Sequence, residues 1–446
     1  MILLADAKGY EMLGEKIYRG GWESLFSAGP DREILYIGLV AFSMRIGDIL
    51  GVSFQKIQMI FQFGNLILSQ ILLNILLKRL EVRRSIRWGI IAYMGISPAL
   101  VNSALSLYSE IIVYPFILVY TLLLSKAWFE QSFQEFRLSL FNGIFLGITF
   151  ALGVAAKGMI EYVSYICIIP FICAAIYGVI QKKFFIVRNS LFIVLCSFIF
   201  VQGCLVTIKS TYFKYSNKYG YLNRGPRELY GSTYKRTQNI TPKGVVAALA
   251  CIPGEHVCTK FFGKKECFPW TYRYRDLIGS STREYLMAYE EMPIEESDHW
   301  MVWLSQRLIL EHPFLYSFFY GLESLKMFFW ESTRIGFVTY TPFLRNLFSY
   351  ELFKNFIRFS LSFLTIITFI LAGRHLYCKN NYISILHYHS THYLFFIFLI
   401  IFSFTGLYSF FDIVTRYAFP IVPLFLALIG VVFQNWRTKF LVSTKG

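Results

Sequence analysis

Stretches of predominantly apolar residues recur along almost the whole chain, and each approaches the ~20 residues that a helix needs to cross a hydrocarbon core. Nine of these stretches are predicted to span a membrane. They cover residues 55–78, 88–106, 109–128, 139–156, 159–180, 184–207, 355–376, 391–411 and 417–434. The sequence therefore predicts an all-α fold, a polytopic transmembrane helical bundle.

The composition supports a membrane protein and argues against a nucleic-acid-binding one. Of the 446 residues, 56% are hydrophobic and 16% are charged, whereas about a quarter of the residues in a soluble domain are charged. The net charge of +16 does not indicate nucleic acid, because excess Lys and Arg in a membrane protein mark cytoplasmic loops and contacts with lipid head groups. Membrane lipids are expected partners, and nucleic acid is not.

Basic residues concentrate in alternate connections between the predicted spans. These connections are 78–87, 181–188, 373–381 and the tail 435–446. The short connections on the opposite side carry only Lys157 and Arg416. By the positive-inside rule the basic connections are cytoplasmic. The start of the chain, the turn at Ser109–Glu110 and the long connection that begins at residue 208 are then expected to face outward.

The spans and connections divide the chain into four predicted regions. These are a first external loop with interfacial helices (1–54), a six-span transmembrane region (55–207), a long external loop with an amphipathic helix (208–354) and a C-terminal three-span region (355–446).

Two further apolar stretches, 33–50 and 312–330, are predicted to lie in the outer interface rather than to span. Arg45 and Asp48 interrupt the first stretch. If the second stretch spanned, every later loop would change sides and the basic loops would lie outside. Its Glu323 and Lys326 are expected to remain in water.

Ionisable groups from distant parts of the chain share the outward membrane level. They are Asp6, Asp31, Glu33, Glu110, Lys157, Glu161, Asp412 and Arg416. Each alone is compatible with an ordinary loop charge, but charges beside spans are costly and usually functional. The set favours an outward-facing polar cavity. Lys157 and Glu161 are spaced for an i,i+4 pair on one helix face. The Arg416 guanidinium suits a bidentate grip on phosphate, with snorkelling to lipid phosphate as the alternative.

Three cysteines, Cys251, Cys258 and Cys267, lie within the long external loop. An oxidising compartment outside the membrane permits one disulfide among them, with one cysteine left over. A zinc site is the less favoured alternative, because no fourth ligand has suitable spacing, although His256 is near.

Five segments follow one another along the chain. They are the loop "ADAKGYEMLGEKIYRGG", the acidic turn "YSEIIVYPFILVYTLLL", the Gly-rich span "GIFLGITFALGVAAKGMIEY", the helix "ILEHPFLYSFFYGLESLKMFFW" and the terminal "RYAFPIVPLFLALIG". In this order they resemble the GT-C superfamily of integral membrane glycosyltransferases. The similarity is to the branch that contains protein O-mannosyltransferases, aminoarabinose transferases and lipopolysaccharide sugar transferases.

The resemblance implies transfer of a sugar from a polyprenyl-phosphate donor to a hydroxyl of a lipid, glycan or protein, with inversion at the anomeric carbon. Asp6 would act as the general base, and Glu110 would hold a divalent Mg, Mn or Zn ion beside the donor phosphate. Lys157, Arg416 and Tyr417 would stabilise the charge that develops on that phosphate. The implied location is a bacterial inner membrane, with the site on the periplasmic face.

Tyr10 and Glu161 complete the implied site as substrate-binding residues. The chain departs from the family pattern at two points. The family often carries two adjacent acids, whereas Ala7 follows Asp6 here. In the family a first span precedes this loop, and only the four residues "MILL" stand in its place.

Two other classes of function remain open from the sequence. An O-antigen-type polymerase or ligase is also polytopic with one long external loop, but depends on Arg and His in that loop rather than on an acid near the start. A lipid-linked-sugar transporter should show paired repeats and polar residues at mid-membrane, whereas the charges here cluster outward.

Overall fold

The structure is a computed structural model of the 446-residue chain. It describes residues 6–30, 32–130, 136–220, 225–238, 240–331, 341–378, 389–411, 413 and 415–443. These residues form helices and turns, and no strand occurs among them. The all-α prediction is confirmed.

The α-helices follow one another along the chain with mostly short connections. They are α1 (Asp6–Phe26), α2 (Ile34–Leu50), α3 (Phe54–Arg79), α4 (Arg84–Ile96), α5 (Pro98–Leu105), α6 (Glu110–Glu130), α7 (Phe136–Ala156), α8 (Ile160–Ile180), α9 (Phe184–Ser216), α10 (Gly225–Thr237), α11 (Pro242–Ala250), α12 (Glu255–Cys267), α13 (Tyr272–Ala288), α14 (Ile294–Glu311), α15 (Pro313–Ser324), α16 (Pro342–Ser349), α17 (Glu351–Cys378), α18 (His389–Phe410) and α19 (Val422–Ser443). Short 3₁₀ helices cover Phe268–Trp270, Leu325–Phe328 and Thr415–Ile421.

Eight helices within the described residues are long and apolar enough to cross a membrane. They are Phe54–Arg79, Glu110–Glu130, Phe136–Ala156, Ile160–Ile180, Phe184–Ser216, Glu351–Arg374, Ser390–Phe410 and Arg416–Asn435. The remaining predicted span, 88–106, falls on α4 and α5, which meet the same test as a pair bent by 51°. The protein is thus a multi-pass, all-helical membrane protein.

The bend between α4 and α5 follows from the Ser97–Pro98 sequence. Proline lacks a backbone N–H and fits the first turn of a helix, where that donor has no partner anyway. The Ser97 hydroxyl accepts a hydrogen bond from the Leu100 N–H at 3.4 Å, as an N-cap does. The chain therefore ends one helix and starts another within the apolar stretch.

The described chain separates into two compact units. The first contains Met1–Tyr221, Thr333–Phe404 and Phe419–Gly446, and it includes all or most of each span. Within it α7 packs closely on α9, because Gly143 and Gly147 bring the two backbones together. A Cβ atom on Gly147 would lie 2.9 Å from the Cys196 carbonyl oxygen. This spacing of small residues is typical of helix contacts in membranes.

Successive spans of the first unit run in opposite directions through short turns. The start of α6 and the end of α5 therefore lie at the same end of the bundle as the end of α7 and the start of α8. The residues in these turns, among them Glu110 and Lys157, share that level. The helix α2 has 17 residues and is not among the candidate spans.

The second unit contains Leu222–Ser332 and Thr405–Ala418, so most of it lies within the predicted long loop. One of its apolar clusters is built around Trp270, Phe319, Cys251, which follows α11, and the two cysteines of α12. A disulfide joins Cys258 to Cys267, and Cys251 is a buried free thiol. The permitted disulfide is therefore present, and Cys251 is the residue left over.

The expectation that Glu323 and Lys326 remain in water is wrong. The two residues are 2% and 7% exposed, respectively. Both face other charged groups of the second unit, because the Glu323 carboxylate pairs with Lys326 at 3.0 Å and with Lys235 at 2.6 Å. Polar pairing within the unit stabilises these charges where the sequence pattern suggested hydration.

Candidate functional site

The first charged contact of the candidate site joins Asp6 to Arg32. Asp6 is the first described residue of α1. An Arg32 Nη2–H donates to the Asp6 Oδ1 at 2.9 Å. The Asp6 side chain is 27% exposed and the Arg32 side chain 12%. The carboxylate is therefore oriented by an arginine and still open to another group.

Tyr10 lies one helical turn after Asp6 and is almost fully buried. Its hydroxyl is 3.0 Å from the Ser109 Oγ and 3.4 Å from the Glu33 Oε2, so its single O–H lies within hydrogen-bond reach of both oxygens. The Arg32 guanidinium lies 4.6 Å from the centre of the Tyr10 ring, a cation–π contact. Tyr10 thus joins the start of α1 to the turn that precedes α6.

Burial, together with the neighbouring Glu33 carboxylate, raises the pKa of Tyr10 to about 12, although the nearby Lys157 and Arg32 charges act in the opposite direction. Burial disfavours the charged phenolate, and a nearby negative charge does the same. At neutral pH the phenol is therefore protonated and acts as a hydrogen-bond donor. It cannot serve as a base in this environment.

Lys157 follows the last residue of α7, and its side chain is 13% exposed. Its Nζ lies 3.5 Å from the Glu33 Oε1 and 3.4 Å from the Ser109 Oγ. The Lys157 backbone N–H donates to the Gly153 carbonyl at 2.7 Å, which fixes the residue to the end of α7. Lys157 and Tyr10 therefore meet at the same two partners, Glu33 and Ser109.

Glu110 is the first residue of α6 and is 4% exposed. Its charge is close enough to Tyr10 to contribute to the raised pKa of that phenol. Among the residues that the structure describes, no Lys or Arg forms an ion pair with Glu110. It adds a negative charge to the site without a bound cation of the protein.

These contacts define one group, the Asp6 cluster. Its members are Asp6, Tyr10, Arg32, Glu33, Ser109, Glu110 and Lys157. The cluster holds three carboxylates and two cations, so its formal charge is −1 at neutral pH. Sequence reasoning singled out Asp6, Tyr10, Glu33, Glu110 and Lys157, and the structure brings these five to one place.

Glu161 is held differently from the prediction. The expected i,i+4 pair of Lys157 and Glu161 on one helix is wrong, because α7 ends at Ala156 and α8 begins at Ile160. The Glu161 carboxylate accepts instead from the Tyr165 hydroxyl at 3.3 Å, on the same face of α8.

Arg416 and Tyr417 belong to the second unit, in the 3₁₀ turn that precedes α19. The Arg416 guanidinium lies 5.7 Å from the centre of the Tyr417 ring. The Tyr417 ring in turn packs at 4.9 Å on the Tyr408 ring near the end of α18. Asp31 and Asp412, two of the predicted outward charges, lie outside the described residues.

Sequence reasoning missed Arg32, which contacts both Asp6 and Tyr10. The available signal was the run "GPDRE" between two helical stretches, a short connection with three adjacent charges. Ser109 was noted only as part of a turn. Its role depends on contacts with residues 48 and 99 positions away, and no local pattern reveals such contacts.

The described residues do not supply a complete ligand set for the metal expected at Glu110. The only group of three or more His, Cys, Asp or Glu side chains that converge within the described ranges is Cys251, Cys258 and Cys267. Two of these form the disulfide, so their sulfur atoms are not thiolate ligands.

Neither a protein-family model, nor a curated protein, nor a solved structure matches the chain.

Proposed function

We propose that this protein is an integral membrane glycosyltransferase. It would move a sugar from a polyprenyl-phosphate donor to a hydroxyl group of a lipid, glycan or protein acceptor. In this proposal the Asp6 cluster lies at the outward, periplasmic face of a bacterial inner membrane, because the alternate connections on the other side of the spans are basic.

One observation carries the proposal. Acids and bases from α1, from the loop after it, and from the turns that flank α6 and α7 gather at one end of a transmembrane bundle. Charged groups are costly beside spans and usually functional there. Simple head-group contacts do not require a buried Tyr10 to bridge Glu33 and Ser109.

Asp6 is the member of the cluster best suited to remove a proton. Arg32 orients its carboxylate, and the 27% exposure of the side chain leaves room for an acceptor hydroxyl. In the proposed step the acceptor oxygen attacks the anomeric carbon of the sugar, and its proton passes to Asp6. The bond from that carbon to the phosphate oxygen breaks, and polyprenyl phosphate leaves. One displacement inverts the anomeric configuration.

Lys157 is the first unit's candidate for the donor phosphate. Its ammonium group is already paired with Glu33, so the phosphate would compete with that carboxylate. Protonated Tyr10 is a second donor that carries no charge. Arg416 and Tyr417 retain the phosphate-binding role that the family resemblance implies, and Glu161 a substrate-binding one. Pre-placed donors of this kind stabilise charge that develops on a leaving group.

A transfer assay on membranes tests the proposal. Membranes that contain the wild type, Asp6→Asn or Arg307→Ala receive labelled polyprenyl-phosphate sugar, and transfer into membrane products is measured. Arg307 is the control residue, because its side chain also belongs to an ion pair but is 59% exposed and pairs with Glu311 on the same helix. We expect Asp6→Asn to abolish transfer at unchanged protein level, and Arg307→Ala to keep most of it.

The opposite pattern would contradict the proposal. Loss of activity in Arg307→Ala with full activity in Asp6→Asn would favour a polymerase or ligase that uses arginines of the long loop. Uptake of the labelled lipid without transfer in any variant would favour a transporter.

A further inference from the structure

The end of α18 is held by side chains from three helices of the second unit. The Tyr320 hydroxyl donates to the Gly406 carbonyl at 2.6 Å. An Arg236 Nη2–H donates to the Ser409 carbonyl at 2.6 Å, and an Arg275 Nη1–H to the Phe411 carbonyl at 2.5 Å. Carbonyls at the end of a helix lack partners within it, and the helix dipole favours cations there. All the residues named belong to the second unit.

Arg236 is fixed in turn by Glu323. Its Nε donates to the Glu323 Oε2 at 2.7 Å, and its Nη2 lies 2.6 Å from the same oxygen. The side chains of Arg236 and Glu323 are 0% and 2% exposed. The Tyr316 and Tyr320 rings lie 5.5 and 5.9 Å from the guanidinium. An arginine held on several sides cannot easily reorient.

Three neighbouring cations keep the Glu323 carboxylate ionised at neutral pH. Burial by itself would raise the pKa of Glu323, but Lys235, Lys326 and Arg236 together hold it well below its usual range. The carboxylate is therefore ionised. A buried pair that loses one partner leaves an uncompensated charge behind.

A continuous set of contacts leads from Arg236 to Arg416. Arg236 binds the carbonyl of Ser409, and the neighbouring Tyr408 packs its ring on Tyr417 at 4.9 Å. Tyr417 in turn lies under the Arg416 guanidinium at 5.7 Å. The end of α18 therefore supports the Tyr417 ring, and through that ring the Arg416 side chain.

We propose that Arg236, oriented by Glu323 and assisted by Arg275 and Tyr320, is a positioning residue for Arg416. This inference rests on the proposed function, in which Arg416 binds the donor phosphate. Arg236 does not itself contact the phosphate in this account. It acts by fixing the last carbonyls of α18, and through them Tyr408 and Tyr417.

Two measurements on the full chain in lipid nanodiscs test the inference. The first is the rate of trypsin cleavage after Arg416, followed by mass spectrometry. The second is binding of polyprenyl phosphate without a sugar. The variants are Arg236→Lys, and Tyr320→Phe as a milder change that removes one hydrogen bond. The controls are Arg283→Lys, which alters the ion pair with Asp298, and Tyr285→Phe at an exposed tyrosine.

We expect Arg236→Lys to speed cleavage after Arg416 severalfold and to weaken binding of polyprenyl phosphate about tenfold. Tyr320→Phe should have the same effects to a smaller degree, and both controls should behave as wild type. Arg416→Ala should weaken binding by about ten- to a hundredfold, the range for loss of a charge-assisted hydrogen bond. Adding Arg236→Lys to Arg416→Ala should cause no further loss, because Arg236 acts only through Arg416.

Each contrary result has a distinct meaning. If the rate of cleavage after Arg416 is unchanged in both Arg236→Lys and Tyr320→Phe, the inference is overturned, even if the proposed function is correct. An additive loss of binding in the double variant would also overturn it. If cleavage accelerates but Arg416→Ala binds polyprenyl phosphate as well as wild type, the phosphate role of Arg416 fails and the inference falls with it.

Discussion

The packing of α6 against the end of α7 gives a sharp stability prediction at Gly153. A Cβ atom at this position would overlap the Tyr120 hydroxyl and would lie 2.8 Å from the Tyr120 Cζ and 3.1 Å from the Ile160 Cγ2. Tyr120 is fully buried, and its hydroxyl donates to the Thr149 carbonyl at 3.0 Å. The ring cannot move aside without loss of that bond, so Gly153→Ala must strain the packing.

The size of the stability loss can be worked out by comparison with a glycine at which an added Cβ atom meets no neighbour. A Cβ on Gly203, in α9, would meet no heavy atom within 4 Å. Both substitutions share the gain in helix propensity of about 1 kcal/mol. Gly153→Ala alone carries the cost of overpacking, typically about 1–3 kcal/mol. We therefore expect Gly153→Ala to be about 1–3 kcal/mol less stable than Gly203→Ala.

Unfolding in mixtures of mild detergent and SDS measures the difference. Tyr120→Phe removes the overlapping oxygen, so the double variant with Gly153→Ala should be more stable than the sum of the two single effects. The Lys157 N–H donates to the Gly153 carbonyl, so strain at residue 153 should also shift Lys157. Gly153→Ala should therefore weaken binding of the polyprenyl-phosphate sugar as well. Equal stability of Gly153→Ala and Gly203→Ala would refute the packing of Tyr120 on Gly153.

Two further predictions concern a buried phenol and the disulfide. The neutral form of Tyr10 is favoured by burial, so its contribution to stability is fully present below pH ~10 and is lost as pH rises toward its folded pKa of about 12. A shift of this size corresponds to about 3 kcal/mol. The melting temperature should therefore fall less steeply between pH 9 and 11.5 for Tyr10→Phe than for wild type. Equal slopes would contradict the burial of the phenol. Cys258→Ser should lower stability by about 2–3 kcal/mol under oxidising conditions, the range for a small closed loop, and unchanged stability would contradict the Cys258–Cys267 pairing.

The transmembrane architecture could be predicted from the sequence because its signal is local. Apolar runs of sufficient length mark the helices wherever they pack, and the predicted spans fall on the helices of the structure. The bend at Pro98 was not foreseen, because the apolar run continues through it. Two short helices replace one there, since proline and the Ser97 hydroxyl start a new helix.

The candidate site could be predicted only in part, because its contacts are between distant residues. Asp6, Glu33 and Lys157 were found as separate charges beside apolar segments. Their pairing was not foreseen, because no spacing rule relates residue 33 to residue 157, and Arg32 was not singled out at all. Burial of Glu323 was missed for the same reason, because Lys235 lies 88 positions away.

If Asp6 removes the acceptor proton, as we propose, the single-turnover rate of sugar transfer depends on its carboxylate. The rate is measured at saturating labelled donor for wild type, Asp6→Asn and Asp298→Asn. Asp298 is the matched control, because it also pairs with an arginine and has a partly buried side chain. We expect Asp6→Asn to bind the donor normally and to transfer the sugar at least a hundredfold more slowly, and Asp298→Asn to transfer it at the wild-type rate. Transfer by Asp6→Asn at the wild-type rate would rule out Asp6 as the general base.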